Sequence, residues 1–387
     1  MAERSANVVV VRGHLATPWE LRQWVDLPAR FQVSYLSSQA NHYDVGDTGL
    51  RPVPVRTLRA RMPKGRIGDV AAGVAGDRYL GLERALGRAD IVHAEELSFW
   101  FSASAARARG DFKLVQTVWE TIPFLDAFRN RHARRYRAEV LARTDLFLPA
   151  TQRARHALLL EGVPEERIEV CAPGIDLERF RRTSAAAATP AEHTIVSPGR
   201  LVWEKGHQDV LRAVAALHRG LDGLPVMRPR VLLVGSGPEQ QRLTEHAREL
   251  GIGEAVAFRS VPYDEMPAVF ASASCMVLMS LATAQAMLHP FDTPRAFWEE
   301  QFGLVLAEAM AAGLSIISST SGAIPEVVGE AGRYVASGDW LGLARELAAG
   351  PLLRPPGQRV EHDPARLQHF STTAAAARLA AAYDRLL

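Results

Sequence analysis

The chain has 387 residues, 48% of them hydrophobic and 23% charged, with a formal net charge of +2. Those values exclude a disordered or fibrous chain. At roughly 150 residues per domain the length predicts two cores, and the near-neutral balance lacks the basic surplus that bulk nucleic-acid binding needs, so nucleic acid is not an expected partner.

The N-terminus runs straight into Asn7-Val8-Val9-Val10-Val11, which is too short for a signal h-region or a spanning helix. The only cysteines, Cys171 and Cys275, each lie in an apolar stretch, which suits free thiols in a reducing compartment better than a disulfide. The expected location is the cytoplasm, with peripheral contact at the inner face of the membrane left open. A modest basic excess in the first half includes Arg129, Arg131, Arg134, Arg135 and Arg137. A solvated helix face is the preferred account of it, ahead of a surface for an anionic acceptor or lipid headgroups.

Short β-rich runs alternate with helix-compatible stretches along the first half, at Val8–Val11, Phe31–Leu36, Ile91–Val92, Phe112–Val118, Leu146–Pro149 and Ile168–Cys171. The second half repeats the habit at Thr194–Ser197, Val231–Val234, Val256–Phe258, Met276–Met279 and Leu314–Ser318. Continuous apolar strands joined by crossover helices predict parallel, doubly wound sheets, one in each half. The predicted division is a first Rossmann-like domain over 1–180, a linker over 181–191, where the Ala-rich run to Pro190 has no strand signal and no strong amphipathic period, and a second over 192–369. The segment 370–387 is expected to be helical, with Leu379, Tyr383, Leu386 and Leu387 as an apolar stripe.

Four predicted strand-to-helix turns in the second half carry the chemistry. Arg200 and Lys205, followed by Gly206, stand before the helical run Asp209–Leu217, where cationic ends and helix N-terminal amides can converge on an anion. Alone, this spacing favours a surface ion pair. Glu300 and Glu308 flank a helix start near Phe302 or Gly303; Glu308, in the second turn, tilts back toward the N-terminus, so both carboxylates can face one mouth. Gly303 permits close approach of a ligand to the backbone, and the amides after it are anion donors. Val234-Gly235-Ser236-Gly237-Pro238 and Ser321-Gly322-Ala323-Ile324-Pro325-Glu326 supply further turns, although tight turns want glycine with or without a ligand. On an open parallel sheet all four border one crevice. Two carboxylates for hydroxyls beside cations for a diphosphate describe a nucleotide sugar.

These residues, in this order from Pro198 to about Gly332, resemble the retaining glycosyltransferases of family 4, whose GT-B fold has two Rossmann-like α/β domains facing across a cleft. Pro173-Gly174-Ile175-Asp176 with Phe180 looks like that family's exit from the first domain, and Tyr383 to Leu387 like the terminal helix that crosses back onto it. The resemblance implies transfer of a sugar from a nucleotide-diphosphate sugar, linked to UDP, GDP or ADP, to an acceptor hydroxyl with retention. It places Arg200 and Lys205 on the diphosphate, Glu308 on the ribose, Glu300 with the backbone of Phe302, Gly303 and Leu304 on the sugar, Gly235 and Gly237 in the donor site, and Pro262 and Tyr263 near the base. No Asp-x-Asp motif occurs, so no metal and no cofactor are expected beyond the donor as co-substrate.

Three departures accompany the match. The first strand is followed by Val11-Arg12-Gly13-His14-Leu15, where many relatives have a double glycine, so Gly13 is the only donor contact carried over there. Where relatives often have a histidine the chain has Thr117-Val118-Trp119-Glu120-Thr121, which makes Glu120 the candidate for a catalytic carboxylate or for a structural ion pair. The stretch 281–299, with His289, Phe291, Phe297 and Trp298, is longer than the simplest pattern and is expected as a packed surface loop ahead of an acceptor-side lip. A GT-B epimerase or phosphorylase, or a non-catalytic nucleotide-sugar-binding protein, are the alternatives.

Overall fold

A computed structural model of the chain describes residues 5–14, 16–38, 41, 45, 48–62, 78–125, 131–285 and 296–387. The chain divides into two compact units, Met1–Ile175 with Ser371–Leu387, and Asp176–Leu288 with Arg295–Phe370.

The first unit is built on strands β1 (Ala6–Val10), β2 (Phe31–Ser37), β3 (Arg51–Pro54), a side pair β4 (Arg56–Thr57) and β5 (Tyr79–Leu80), then β6 (Ile91–Glu95), β7 (Lys113–Val118) and β8 (Leu146–Pro149). Its main sheet is parallel throughout, in the order β3-β2-β1-β6-β7-β8. Val8, Val10, Ile91 and Val92 are fully buried, as expected for strands covered on both faces. The run Ile168–Cys171, expected as a strand, is not one. It lies along the sheet edge, where Glu169 and Cys171 donate to the Phe147 and Pro149 carbonyls at 2.9 Å, but forms only an isolated bridge between Phe147 and Ile168. Its apolar character reflects burial against β8.

The helix Thr372–Asp384, capped by Ser371, belongs to this unit and sends Leu379, Ala382 and Tyr383 into the core that holds Val8, Val10, Trp24 and Ile91. Trp24 Nε1–H donates to the Tyr383 hydroxyl at 2.9 Å. The same hydroxyl lies 2.6 Å from His93 Nδ1, and His93 Nε2 lies 2.7 Å from Thr117 Oγ1. Burial, helped by the Arg12 charge, pushes the His93 pKa down to about 3, so the ring is neutral, with one nitrogen donating and the other accepting in this chain of bonds.

The second unit has strands β9 (Thr194–Pro198), β10 (Arg230–Val234), β11 (Val256–Arg259) and β12 (Cys275–Leu278), an antiparallel pair β13 (Thr283–Gln285) and β14 (Ala296–Trp298), then β15 (Ser315–Ser319) and β16 (Arg333–Val335). Its parallel sheet runs β11-β10-β9-β12-β15-β16. Ranked along the chain, both sheets have the strand order 3-2-1-4-5-6 of a Rossmann fold, in which ligands bind outside the carboxyl ends where the order reverses. Those switch points lie between β1 and β6 and between β9 and β12.

Residues 181–186, expected within a linker, continue the helix Leu177–Ala186. Its lack of a long apolar period misled the sequence expectation: one fully buried residue, Phe180, anchors it, 5.7 Å from the Phe270 ring. The passage between units falls at Ile175 and Asp176, not at 180. Cys171 and Cys275 are free and buried, and burial raises their thiols to about 11 and about 12. On helix Arg131–Arg143, Arg135 pairs with Glu139 at 2.8 Å and Arg137 with Glu161 at 2.6 Å, so part of the basic cluster is internally neutralised. Arg129, and His289 and Phe291 of the long insertion, lie outside the described residues. Among the described residues no helix is long and apolar enough to cross a membrane.

Candidate active site

The loop leaving β9 must pass close to the end of β12, and Gly206 makes this passage. Its φ is +68°, and a Cβ there would lie 1.9 Å from the Met279 carbonyl oxygen. The approach sets Lys205 beside Ser280 at the β9–β12 switch point. Lys205 Nζ lies 2.6 Å from Glu300 Oε2, which also accepts from Ser280 Oγ at 2.6 Å. The ammonium stands 5.0 Å from the Trp298 ring centroid. Lys205 and Glu300 side chains are only 15% and 8% exposed, so each offsets the cost of burying the other.

The backbone of Glu300 is held from the next strand. Its N–H donates to Ser321 Oγ at 3.0 Å, and its carbonyl accepts from Ala323 N–H at 2.9 Å. Gly322, at φ +54°, lets the β15 turn close to the point where a Cβ would sit 2.0 Å from the Glu300 oxygen. Turns after β9, β12 and β15 therefore converge on one carboxylate.

Arg200 is placed differently from Lys205. Its side chain is 66% exposed and, among the described residues, pairs with Glu204 of the same loop at 3.6 Å. The two cations expected to converge are not together here, because Lys205 has a buried carboxylate available and Arg200 has none. Between them His207 fixes the loop: its Nδ1 faces Ser197 Oγ at 3.1 Å and its Nε2 the Arg200 carbonyl at 3.2 Å. Burial lowers its pKa to about 4, leaving it neutral.

Gly303, at φ +76°, is the N-cap of helix Leu304–Ala311, and no side chain caps that helix. Phe302 is buried edge-on against Phe370, 5.5 Å away, which fixes the backbone entering it. Glu308 is 2% exposed and accepts from the Tyr263 hydroxyl through Oε1 at 2.9 Å. Burial raises the Glu308 carboxyl to about 7, against the opposing pull of Tyr263 and Arg179. Pro262 is exposed and opens the turn Tyr263–Glu265 after β11. Gly235 and Gly237 sit where a Cβ would lie 2.0 Å and 2.3 Å from the Gly199 and Leu201 carbonyl oxygens, so the close packing of two turns alone requires both glycines.

Gly13 and Glu120 belong to the first unit. The Gly13 amide donates to Tyr79 OH at 2.9 Å, and the Phe101 ring occupies the space of a Cβ. Beside it Arg12, 3% exposed, forms ion pairs with Glu20, at 2.7 Å, and with Glu95. Glu120 Oε1 accepts from the backbone of Thr121 and Ile122 at 3.0 Å. Glu96, at φ +62°, accepts from Trp119 and Glu120 N–H at 2.8 Å and 3.1 Å. Sequence reasoning missed Ser280, Glu96 and the Arg12 cluster, and it named Ser321 and Trp298 without their contacts to Glu300 and Lys205.

Two hollows on the second domain, about 680 and 780 Å³, are lined by other residues, including Arg182 and Ala268 in one and His218 and Arg248 in the other. The site is defined by its chemistry and its switch point, not by these hollows. Among the described residues, no three His, Cys, Asp or Glu side chains are grouped to hold a metal ion.

Comparison with known proteins identifies the fold and the family. Anabaena HepE, solved with UDP and glucose, superposes with a TM-score of 0.70 over 98% of this chain and 100% of its own, at 17% identity. Sucrose-phosphate synthase from Thermosynechococcus elongatus gives a TM-score of 0.68 over 98% of this chain and 99% of its own, at 18% identity. The fold is thus that of the GT-B class. The family models "Glycosyltransferase Family 4" and "Glycosyl transferases group 1" match residues 26–179 and 181–349. D-inositol 3-phosphate glycosyltransferase 1 of Catenulispora acidiphila is 30% identical over 359 residues, covering 86% of this chain and 80% of that protein. A GDP-mannose-dependent phosphatidylinositol monomannoside mannosyltransferase of Mycobacterium tuberculosis is 31% identical over 43% of this chain and 41% of its own length. The chain belongs to glycosyltransferase family 4, the group 1 glycosyl transferases.

Proposed function

We propose that this glycosyltransferase moves a sugar from a nucleotide-diphosphate sugar to an acceptor hydroxyl, with retention of anomeric configuration and without a metal ion. The observation that carries the proposal is the Lys205–Glu300–Ser280 cluster at the β9–β12 switch point, on the loop that leads into the uncapped helix bearing Glu308. In the reaction the donor phosphate takes the place of Glu300 on Lys205, while the sugar hydroxyls occupy the released carboxylate. Arg200, exposed and weakly paired, turns onto the same diphosphate. As the bond to the sugar breaks, charge grows on the leaving phosphate, and a cation already in place stabilises that stage more than the ground state. The leaving phosphate then takes the acceptor proton on the same face, which yields retention with no protein base. The proposed location is the cytoplasm.

The test is a panel of UDP-, GDP- and ADP-sugars with EDTA present and inositol phosphate among the acceptors, suggested by the named substrate of the Catenulispora relative. The expected result is nucleotide release, with a product whose NMR coupling matches the donor anomer. Complete loss in EDTA restored by Mn²⁺ or Mg²⁺ overturns metal independence, and an inverted product overturns retention. Binding without transfer or hydrolysis favours the non-catalytic alternative.

A further inference from the structure

Glu308 is a buried carboxylate with half of its hydrogen-bonding capacity committed. Oε1 accepts from Tyr263, and its other oxygen has no partner among the described residues. No cation lies within ion-pairing distance of it among those residues. Four elements pack on its helix: helix Leu177–Ala186, helix Ile324–Val328, β15 and helix Pro364–His369. The first brings Glu178, Arg179, Arg181 and Arg182, the second Glu326, the last Arg366 and His369, and β15 nothing titratable. Glu178 is paired with Arg181 and Arg182. Of all these charges only Arg179 acts on Glu308, and its guanidinium is bound to Asp264 at 2.8 Å. Tyr263 is thus the one direct donor that favours the ionised carboxylate.

We propose that Tyr263 is a positioning residue that makes nucleotide binding proton-linked, by holding Glu308 as an oriented carboxylate whose free oxygen accepts from the ribose hydroxyls. The proposal rests on the donor-site assignment above. A diol donates its hydrogens best to the ionised form, so binding prefers ionised Glu308. With the free carboxyl near 7, affinity must weaken as the pH falls below that value and level off above it. The Tyr263 bond holds the carboxyl lower than burial alone does, so removing the hydroxyl moves the midpoint upward. Tyr263 itself stays protonated, because burial and the neighbouring Glu308 charge push its own pKa up.

The test is calorimetric titration of the full chain with UDP-, GDP- and ADP-glucose, whose diphosphates, esterified at both ends, do not titrate in the range, from pH 5.5 to 9, for the wild type, Tyr263→Phe and Glu308→Gln. Expected for the nucleotide that binds is a loss of up to about tenfold per pH unit below 7 in the wild type. The Tyr263→Phe profile keeps its shape but is displaced to higher pH, converging on the wild type at pH 9, and Glu308→Gln binds weakly with no slope. A 2′,3′-dideoxy form of the same nucleotide loses the slope in the wild type. A pH-independent wild type, or a Tyr263→Phe profile lowered equally at every pH, overturns the coupling while leaving the donor site standing. Binding by none of the three nucleotides, or full binding by Glu308→Gln, overturns the donor-site assignment itself.

Discussion

The two domains reverse their strand order in the same way and fill the resulting switch points with opposite outcomes. Between β1 and β6, Arg12 is sealed against Glu20 and Glu95, the Gly13 amide is taken by Tyr79, and the Phe101 ring fills the remaining space. Between β9 and β12, Lys205 meets Glu300 while keeping 15% of its side chain open, with Arg200 exposed on the same loop and a free oxygen left on Glu308. Topology supplies a location for a ligand in both sheets. The two sites differ in what stands beside the buried ion pair: in the second, an exposed cation, Arg200, lies on the same loop. The first switch point is a keystone; under the proposed function, a diphosphate sugar replaces the pair at the second, anion for anion and hydroxyl for ammonium.

The sharpest way to break this comparison is to remove the cation from each site in turn. Arg12→Ala leaves the buried Glu95, and Glu20 at its part-exposed side, without a countercharge and should cost about 3–5 kcal/mol of stability, measured by urea unfolding. Turnover per folded molecule should stay near that of the wild type. Lys205→Ala also leaves a buried carboxylate, Glu300, without its countercharge and should cost stability too, but per folded molecule it should lower kcat by roughly 10²–10³, about 2.7–4 kcal/mol of transition-state stabilisation. If the two variants exchange these effects on turnover, the assignment of keystone and working site is wrong. A smaller effect sharpens the picture for the first domain. Glu120→Gln should lower turnover at least tenfold, about 1.4 kcal/mol, with donor affinity kept, if the carboxylate serves the reaction. Unchanged turnover with a lower melting temperature instead assigns Glu120 to the turn whose amides it accepts.

What was legible in the sequence was what lies close along the chain. Lys205 and Gly206 stand out at a strand-to-helix turn, and Glu300 and Glu308 bracket a helix start that falls at Gly303, because spacing alone places them at the carboxyl end of a strand. Ser280 carries no such signal, and Ser321, though it opens a turn the pattern marks, gives no sign of its partner. They reach Glu300 because β12 lies beside β9 and β15 beside β12, an adjacency no local pattern encodes. Trp298 sits in an insertion that read as surface loop, yet its ring lies by the Lys205 ammonium. Partners distant in sequence were the hardest: His93 and Tyr383 are 290 positions apart. Local composition also misled twice, at Ile168–Cys171, where burial imitates a strand, and at 181–186, where a single anchor, Phe180, supports a helix without an apolar stripe.

The chain of bonds from Trp24 through Tyr383 and His93 to Thr117 has a consequence for biosynthesis. A ribosome delivers Trp24 and His93 long before Tyr383, so the first domain is made first and completed last. Until the final helix emerges, an indole N–H and an imidazole that the finished core leaves dry stand without their shared partner, beside a cleft where Leu379 and Tyr383 belong. The second domain, whose described strands all lie between Thr194 and Val335, has its whole sheet in hand earlier. Nascent chains halted short of residue 371 therefore present an unfinished apolar surface on their oldest part, and that surface is where a chaperone would wait.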